Sequence, residues 1–265
     1  MKKILVALTI ITALLFASCA SPKETAEGPG EMKGPPKPIT STFKMLSVNI
    51  THGLQNKSAV KRFAHWVKST GAEVVSVQQI ERATDSKPGF DAVSEVAKEL
   101  DMHYTFAKAR YYQGWDSGNA LFCMYPMNQS YVYSLPVGKG KVRRSLSFAI
   151  FELALKSVAF ASTDLDDNDL SERMKQVNEI FSIQNAIPEY PIIVSGDFGE
   201  TIKGKACVKM LEKYLSTNTV ITQLSSASQH IFVPQNKKMN IVSAEKVQFK
   251  GLNQTGVLAT IEIVQ

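Results

Sequence analysis

The chain has 265 residues, 44% of them hydrophobic and 20% charged, with a formal net charge of +6. That is too apolar for a disordered chain, and the Lys and Arg residues are spread too evenly to argue for nucleic acid as a partner. Apart from Cys19, the only cysteines are Cys123, in an apolar strand, and Cys207, in a helical segment; two buried thiols are expected, and a disulfide between them is the alternative that an exported compartment leaves open.

From the N-terminus, Lys2 and Lys3 precede an apolar run from Ile4 to Phe16 that is too short for a permanent bilayer span, followed by Ala17-Ser18-Cys19. Residues 1–18 resemble a bacterial lipoprotein signal, with Phe16 where Leu is commonest. The resemblance implies cleavage before Cys19, lipid on its thiol, a membrane as partner and a place in the cell envelope; the alternative is an ordinary signal peptide with an incidental cysteine. Removing Lys2 and Lys3 leaves +4 on the mature chain. Residues 19–43 contain Gly28-Pro29-Gly30 and Gly34-Pro35-Pro36-Lys37-Pro38 and read as a flexible tether.

The rest, residues 44–265, carries no internal repeat or second linker and is expected as one monomeric domain. Short apolar or alternating runs predict strands over Phe43–Ile50, Glu73–Gln79, Asn119–Met124, Ser147–Leu155, Val158–Thr163, Ile192–Ser195, His230–Val233 and Val257–Ile263. Helical spacing of apolar residues predicts helices over Ser58–Ser69, Phe90–Leu100, Leu170–Ala186 and Gly204–Tyr214. Strands and helices alternate early and paired strands dominate the middle. That order predicts an α/β (α+β) four-layer sandwich, two mainly antiparallel sheets with helices on both outer faces.

Along this framework stand Leu46-Ser47-Val48-Asn49, Val77-Gln78-Gln79, Gly118-Asn119-Ala120-Leu121, Ser162-Thr163-Asp164-Leu165, Gly196-Asp197-Phe198-Gly199, Gln229-His230-Ile231-Phe232-Val233 and Asn253-Gln254. Their order and spacing resemble the endonuclease/exonuclease/phosphatase superfamily, with its deoxyribonuclease-I-like fold. The resemblance implies a metal-dependent phosphoric-ester hydrolase in which an Asn, a Glu and a late Asp hold a divalent cation, and an Asp activates water.

Amides replace most of the ionisable groups. Asn49 and Asp197 match the family pattern, but Gln79 stands for the metal-binding Glu, Asp164 for a phosphate-stabilising His, Gly199 for an Asn, Gln229 for an Asp, and Asn253-Gln254 for an Asp-His pair. A hard cation needs anionic oxygen to offset its lost hydration. No metal or other cofactor is therefore expected, and family catalysis is expected to be lost or strongly impaired. Removing one general acid or base alone costs about 10²- to 10⁴-fold.

The expected site thus keeps Asp164 and Asp197 as catalytic remnants in a cleft lined by Asn49, Gln79, Asn119, Gln229, Asn253 and Gln254. Neutral amides favour an uncharged polar ligand or a protein partner over a phosphate diester. The alternative is a rearranged hydrolase using Mg²⁺ with Asp164, Asp197 and His52 or Arg144. Arg143-Arg144 otherwise reads as a solvated pair before a strand. Asp164, Asp166 and Asn168 sit at the first, third and fifth positions of a calcium-type loop, but Asp169 and Lys175 occupy the positions that require Gly and Glu. Helix capping is the better account of that acidic run.

Overall fold

The computed structural model describes residues 42–263 apart from 87, 154–155, 200–205, 212–214, 217–227 and 236–238. The segments expected as leader and tether, Cys19 and the Cys207 side chain lie outside the described residues.

Two six-stranded sheets face each other. The first has the order β11-β12-β1-β2-β4-β3, built from β1 (Thr42–Asn49), β2 (Val74–Arg82), β3 (His103–Tyr112), β4 (Trp115–Cys123), β11 (Met239–Phe249) and β12 (Gln254–Ile263). The second has the order β5-β6-β7-β8-β10-β9, built from β5 (Met127–Ser134), β6 (Ser145–Leu153), β7 (Lys156–Asp164), β8 (Ile192–Asp197), β9 (Leu215–Ser216) and β10 (Gln229–Pro234). Among the described residues, pairing is parallel only between β1 and β2 and between β7 and β8. The expected two-sheet sandwich is therefore present, as an α+β fold with mixed sheets.

Each parallel pair needs a crossover, and a helix supplies it. Helix α1 (Lys57–Thr70) joins β1 to β2, capped at its start by Asn56, whose Oδ1 accepts from Ala59 N at 2.9 Å, and stopped by Gly71 at φ 71°. Helix α3 (Leu170–Ala186) joins β7 to β8, and its cap Asp169 accepts from Ser171 and Glu172 N–H groups. The acidic run before α3 thus does cap a helix. Helix α2 (Ala92–Leu100) lies beside α1, and α4 (Ala206–Leu211) beside α3.

Side chains alternate along β1. Leu46 and Val48 pack with Val60, Phe63 and Val67 of α1, whereas Met45 joins the core between the sheets. Ser47 and Asn49 follow Met45 on the inner face by the period of two. Near the strand ends this inner face turns polar. Ser76 Oγ donates to Ser162 Oγ at 2.8 Å and Ser47 Oγ to Gln229 Oε1 at 2.8 Å, both across the two sheets. Each bond contributes about 1 kcal/mol net, but an unpaired partner at that depth would cost more.

The strands absent from the sequence reading are β3, β5, β9 and β11, and all four are edge strands. Edges are half-solvated, so they lack the apolar runs that mark central strands. The exposed Glu245 and Lys246 on β11 are edge residues of that kind.

Candidate functional site

In a parallel pair both strands end at the same edge of the sheet. Asn49, the last residue of β1, pairs in register with Gln78 and so lies beside Gln79 within β2, and Asp164 and Asp197, direct register partners, end β7 and β8. The sandwich sets these ends opposite each other. Asn49 Nδ2 donates to Asp197 Oδ2 at 3.1 Å, and Gln79 Nε2 donates to Asp164 Oδ2 at 3.2 Å.

The amide of Asn49 is fixed in this orientation, because its Oδ1 accepts the Thr51 N–H at 2.9 Å. Asp197 Oδ1 accepts the Gly199 N–H at 3.0 Å. Gly199 has φ 64°, and a Cβ there would meet Asp166 O at 2.7 Å, so glycine is required where the family pattern has Asn.

Gln79 reaches the cleft through a β-bulge. The β2–β4 register shifts between Gln78 and Ile80, and Gln79 itself sits at φ 55°. A bulge re-aims one side chain and breaks the alternation after it. Ile80 and Glu81 are consequently both buried, at 0% and 3% exposure. A second bulge shifts β3 against β4 between Lys108 and Arg110. Both bulges flank Gly118, where a Cβ would lie 1.9 Å from Ala107 O.

Arg144 is the main correction to the sequence reading. It is 5% exposed, and its Nη1 donates to Asp164 Oδ2 while Nη2 donates to Asp167 Oδ1 at 3.0 Å. Burial pushes the Asp164 carboxyl up to about 6, against the pull of Arg144; Asp197 adds to the rise, and Gln79 and Arg110 oppose it. Arg143 alone is the solvated member of the pair.

A cluster beside Asn49 was only half visible from sequence. Thr51 and His52 have φ 46° and 62°, and Gly53 N donates to Ile50 O at 3.0 Å, a turn with left-handed backbone at both central positions. Such backbone costs roughly 1–3 kcal/mol per residue and persists only where the surroundings fix it. Here His52 N donates to Gln79 O at 3.0 Å, and the ring stacks on Tyr112 with centroids 3.9 Å apart. Its Nδ1 lies 2.7 Å from Glu81 Oε1, and its Nε2 lies 3.3 Å from Arg110 Nη2. Neither Glu81 oxygen has a well-directed hydrogen bond among the described residues, so the Glu81–His52 pair is a close contact in the buried layer. Sequence marked His52 but not Glu81, because alternation cannot reveal a bulge.

The other expected lining residues do not share the mouth. Asn119 is 1% exposed and donates to Ser145 O at 2.8 Å, and Gln229 is 5% exposed and bound to Ser47. Both point into the inter-sheet layer, as the alternation of a central strand requires, and form the floor beneath the cleft. Asn253, at φ 53° in the β11–β12 turn, is exposed, and its Oδ1 accepts from Gln248 Nε2 at 3.2 Å within its own hairpin. Gln254 is the half-buried first residue of β12, opposite Phe249.

A hard divalent cation does not fit these donors. Asn49 Oδ1 is committed to Thr51, both Asp197 oxygens accept N–H groups, and Asp164 Oδ2 is shared by Arg144 and Gln79. A cation at Asp164 would also face the Arg144 guanidinium.

No protein-family model and no curated protein sequence matches the chain. Solved structures do match its fold. An endonuclease/exonuclease/phosphatase protein from Beutenbergia cavernae superposes with a TM-score of 0.67 at 14% identity, covering 84% of this chain and 72% of that one. The human Nocturnin catalytic domain, with a bound sulfate anion, gives 0.68 at 15% identity over 84% and 94%. A mannosyl-6-phosphatase from Bacteroides thetaiotaomicron gives 0.57 at 13% identity over 84% and 100%. The chain thus has the deoxyribonuclease-I-like fold of endonuclease/exonuclease/phosphatase proteins.

Proposed function

We propose that this domain is a non-catalytic binding or scaffold module on a hydrolase-type fold, held at the bacterial cell envelope by lipid on Cys19. One observation carries the non-catalytic reading: the amides of Asn49 and Gln79 donate into Asp197 and Asp164, where a metal enzyme would direct oxygens at a cation. The two carboxylates are therefore satisfied by N–H donors and by Arg144, without a metal. A ligand of this cleft meets carboxamides and paired charges, a lining suited to hydroxyl- and amide-bearing groups or a protein surface.

The test is hydrolysis. Incubated with Mg²⁺ or Mn²⁺, the mature protein should cleave DNA, phosphodiesters and sugar phosphates no faster than buffer. Metal-dependent turnover abolished in Asp197→Ala would establish instead a rearranged hydrolase built on Asp164, Asp197 and His52. The anchor is tested separately. Cys19→Ser should remove labelling by a palmitate analogue and release the protein from membranes; label retained in that variant refutes the anchor.

A further inference from the structure

The pole of the sandwich opposite the strand-end cleft carries a second opening. A cavity of about 290 Å³ lies where β7, β8 and β11 begin and β12 ends, lined chiefly by Lys156, Glu189, Tyr190, Pro191, Met239 and Ile263. The buried Met239 and Ile263 form its floor; the half-buried Tyr190 and Pro191 and the exposed Lys156 and Glu189 form its rim. Three polar groups of the rim are unclaimed: the Tyr190 phenol, the Glu189 carboxylate and the Lys156 ammonium have no hydrogen-bond or ion-pair partner among the described residues. An aromatic ring and a proline beside a free hydroxyl and a carboxylate suit a proline-rich segment in polyproline II form. Its rings pack on the aromatic surface, and its carbonyls, which lack internal partners, accept from the hydroxyl.

Such a segment belongs to this chain. Pro35-Pro36-Lys37-Pro38 has its outer prolines three residues apart, which one polyproline II turn puts on the same edge, and a cation between them. It is also within reach. The chain enters the fold at Thr42, which pairs with Glu262, and the next residue, Ile263, pairs with Met239. Strands spaced by about 4.8 Å therefore put the cavity floor roughly 10 Å from Thr42. Pro38 and Pro35 precede Thr42 by four and seven residues, roughly 12 and 22 Å of polyproline II chain. The cleft lies at the other end of β1, roughly 23 Å along the strand, so the two sites are separate.

We propose that this cavity is the docking site of the chain's own segment 35–39, with Pro35 and Pro38 against Tyr190 and Pro191 and with Lys37 facing Glu189. Docking leaves residues 19–34 as the span to an anchor and turns the cleft pole away from it. The contact itself needs no lipid on Cys19 and stands whether or not the cleft is catalytic.

The experiment uses the chain from residue 19 with Cys19→Ser and ¹³C-labelled tyrosine rings, and reads the Tyr190 ring resonance, assigned by its loss in Tyr190→Phe. Pro35→Ser, Pro36→Ser and Pro38→Ser together keep the length of the segment. They should move the Tyr190 resonance and leave that of Tyr112, which stacks on His52 beside the cleft, in place. A peptide of residues 33–41 added to this triple variant should return the resonance toward its parent position. It should saturate in the millimolar range or below, because a tethered segment competes at an effective concentration of that order. Glu189→Gln should weaken the peptide about two- to fivefold, the worth of one exposed ion pair. A Tyr190 resonance that the serine replacements leave unmoved overturns the proposal, and so does a peptide that fails to bind. A parent resonance that moves on dilution marks a second copy of the chain as the occupant and overturns it as well.

Discussion

The two βαβ units of this fold end in opposite chemistry. The β1–α1–β2 unit delivers amides, Asn49 and Gln79, and the β7–α3–β8 unit delivers acids, Asp164 and Asp197. Each amide donates to the acid facing it. With acids on both sides, the gap would need a cation to hold like charges together. With amides on one side the sandwich closes through hydrogen bonds, and Arg144 supplies the remaining positive charge.

The largest effect should come from breaking the charged side of this arrangement. Arg144→Met leaves Asp164 buried and unpaired, and loss of one partner of a buried pair costs about 3–5 kcal/mol. Urea unfolding at neutral pH measures it. A loss below about 1 kcal/mol would mean that solvent already reaches the pair.

Next in size is a pH effect. Asp164 titrates near 6 in the fold against an ordinary 3.8, so the native state holds its proton more tightly than the unfolded chain does. Stability from this group is complete below the ordinary value and is lost as pH rises from 3.8 to about 6, by roughly 3 kcal/mol in all. Asp164→Asn should flatten the stability profile across that window, whatever it does to absolute stability. Parallel slopes for both proteins would show that Asp164 is not raised.

The smallest effect separates capping from cation binding in the acidic run. Asp169→Ala removes the cap of α3 and should cost about 1 kcal/mol, independent of added Ca²⁺. Stabilisation of the parent protein by Ca²⁺ that vanishes in this variant would restore the calcium-loop reading.

The central strands and the first three helices were legible because burial on both faces, or on one helical stripe, leaves a pattern. Leu170–Ala186 is recovered to the residue. The edge strands β3, β5 and β11 were not, since their exposed faces carry residues such as Lys, Gln and Tyr that suit a loop equally well. At the site, motif order located Asn49, Asp164 and Asp197, which end β1, β7 and β8, and Gln79, which sits at the bulge within β2. It did not separate those from Asn119 and Gln229, because a side chain's face depends on register. Glu81 escaped because it follows a bulge, and Arg144 was legible only as an alternative to a solvated residue, because its burial comes with its pairing to Asp164 and Asp167.

The claim that amides have replaced the metal is tested most directly by calorimetric titration of the protein with Mg²⁺ and then Ca²⁺. The account predicts no saturable heat with either ion. Micromolar binding by the unaltered protein, lost in Asp197→Ala, would contradict the account.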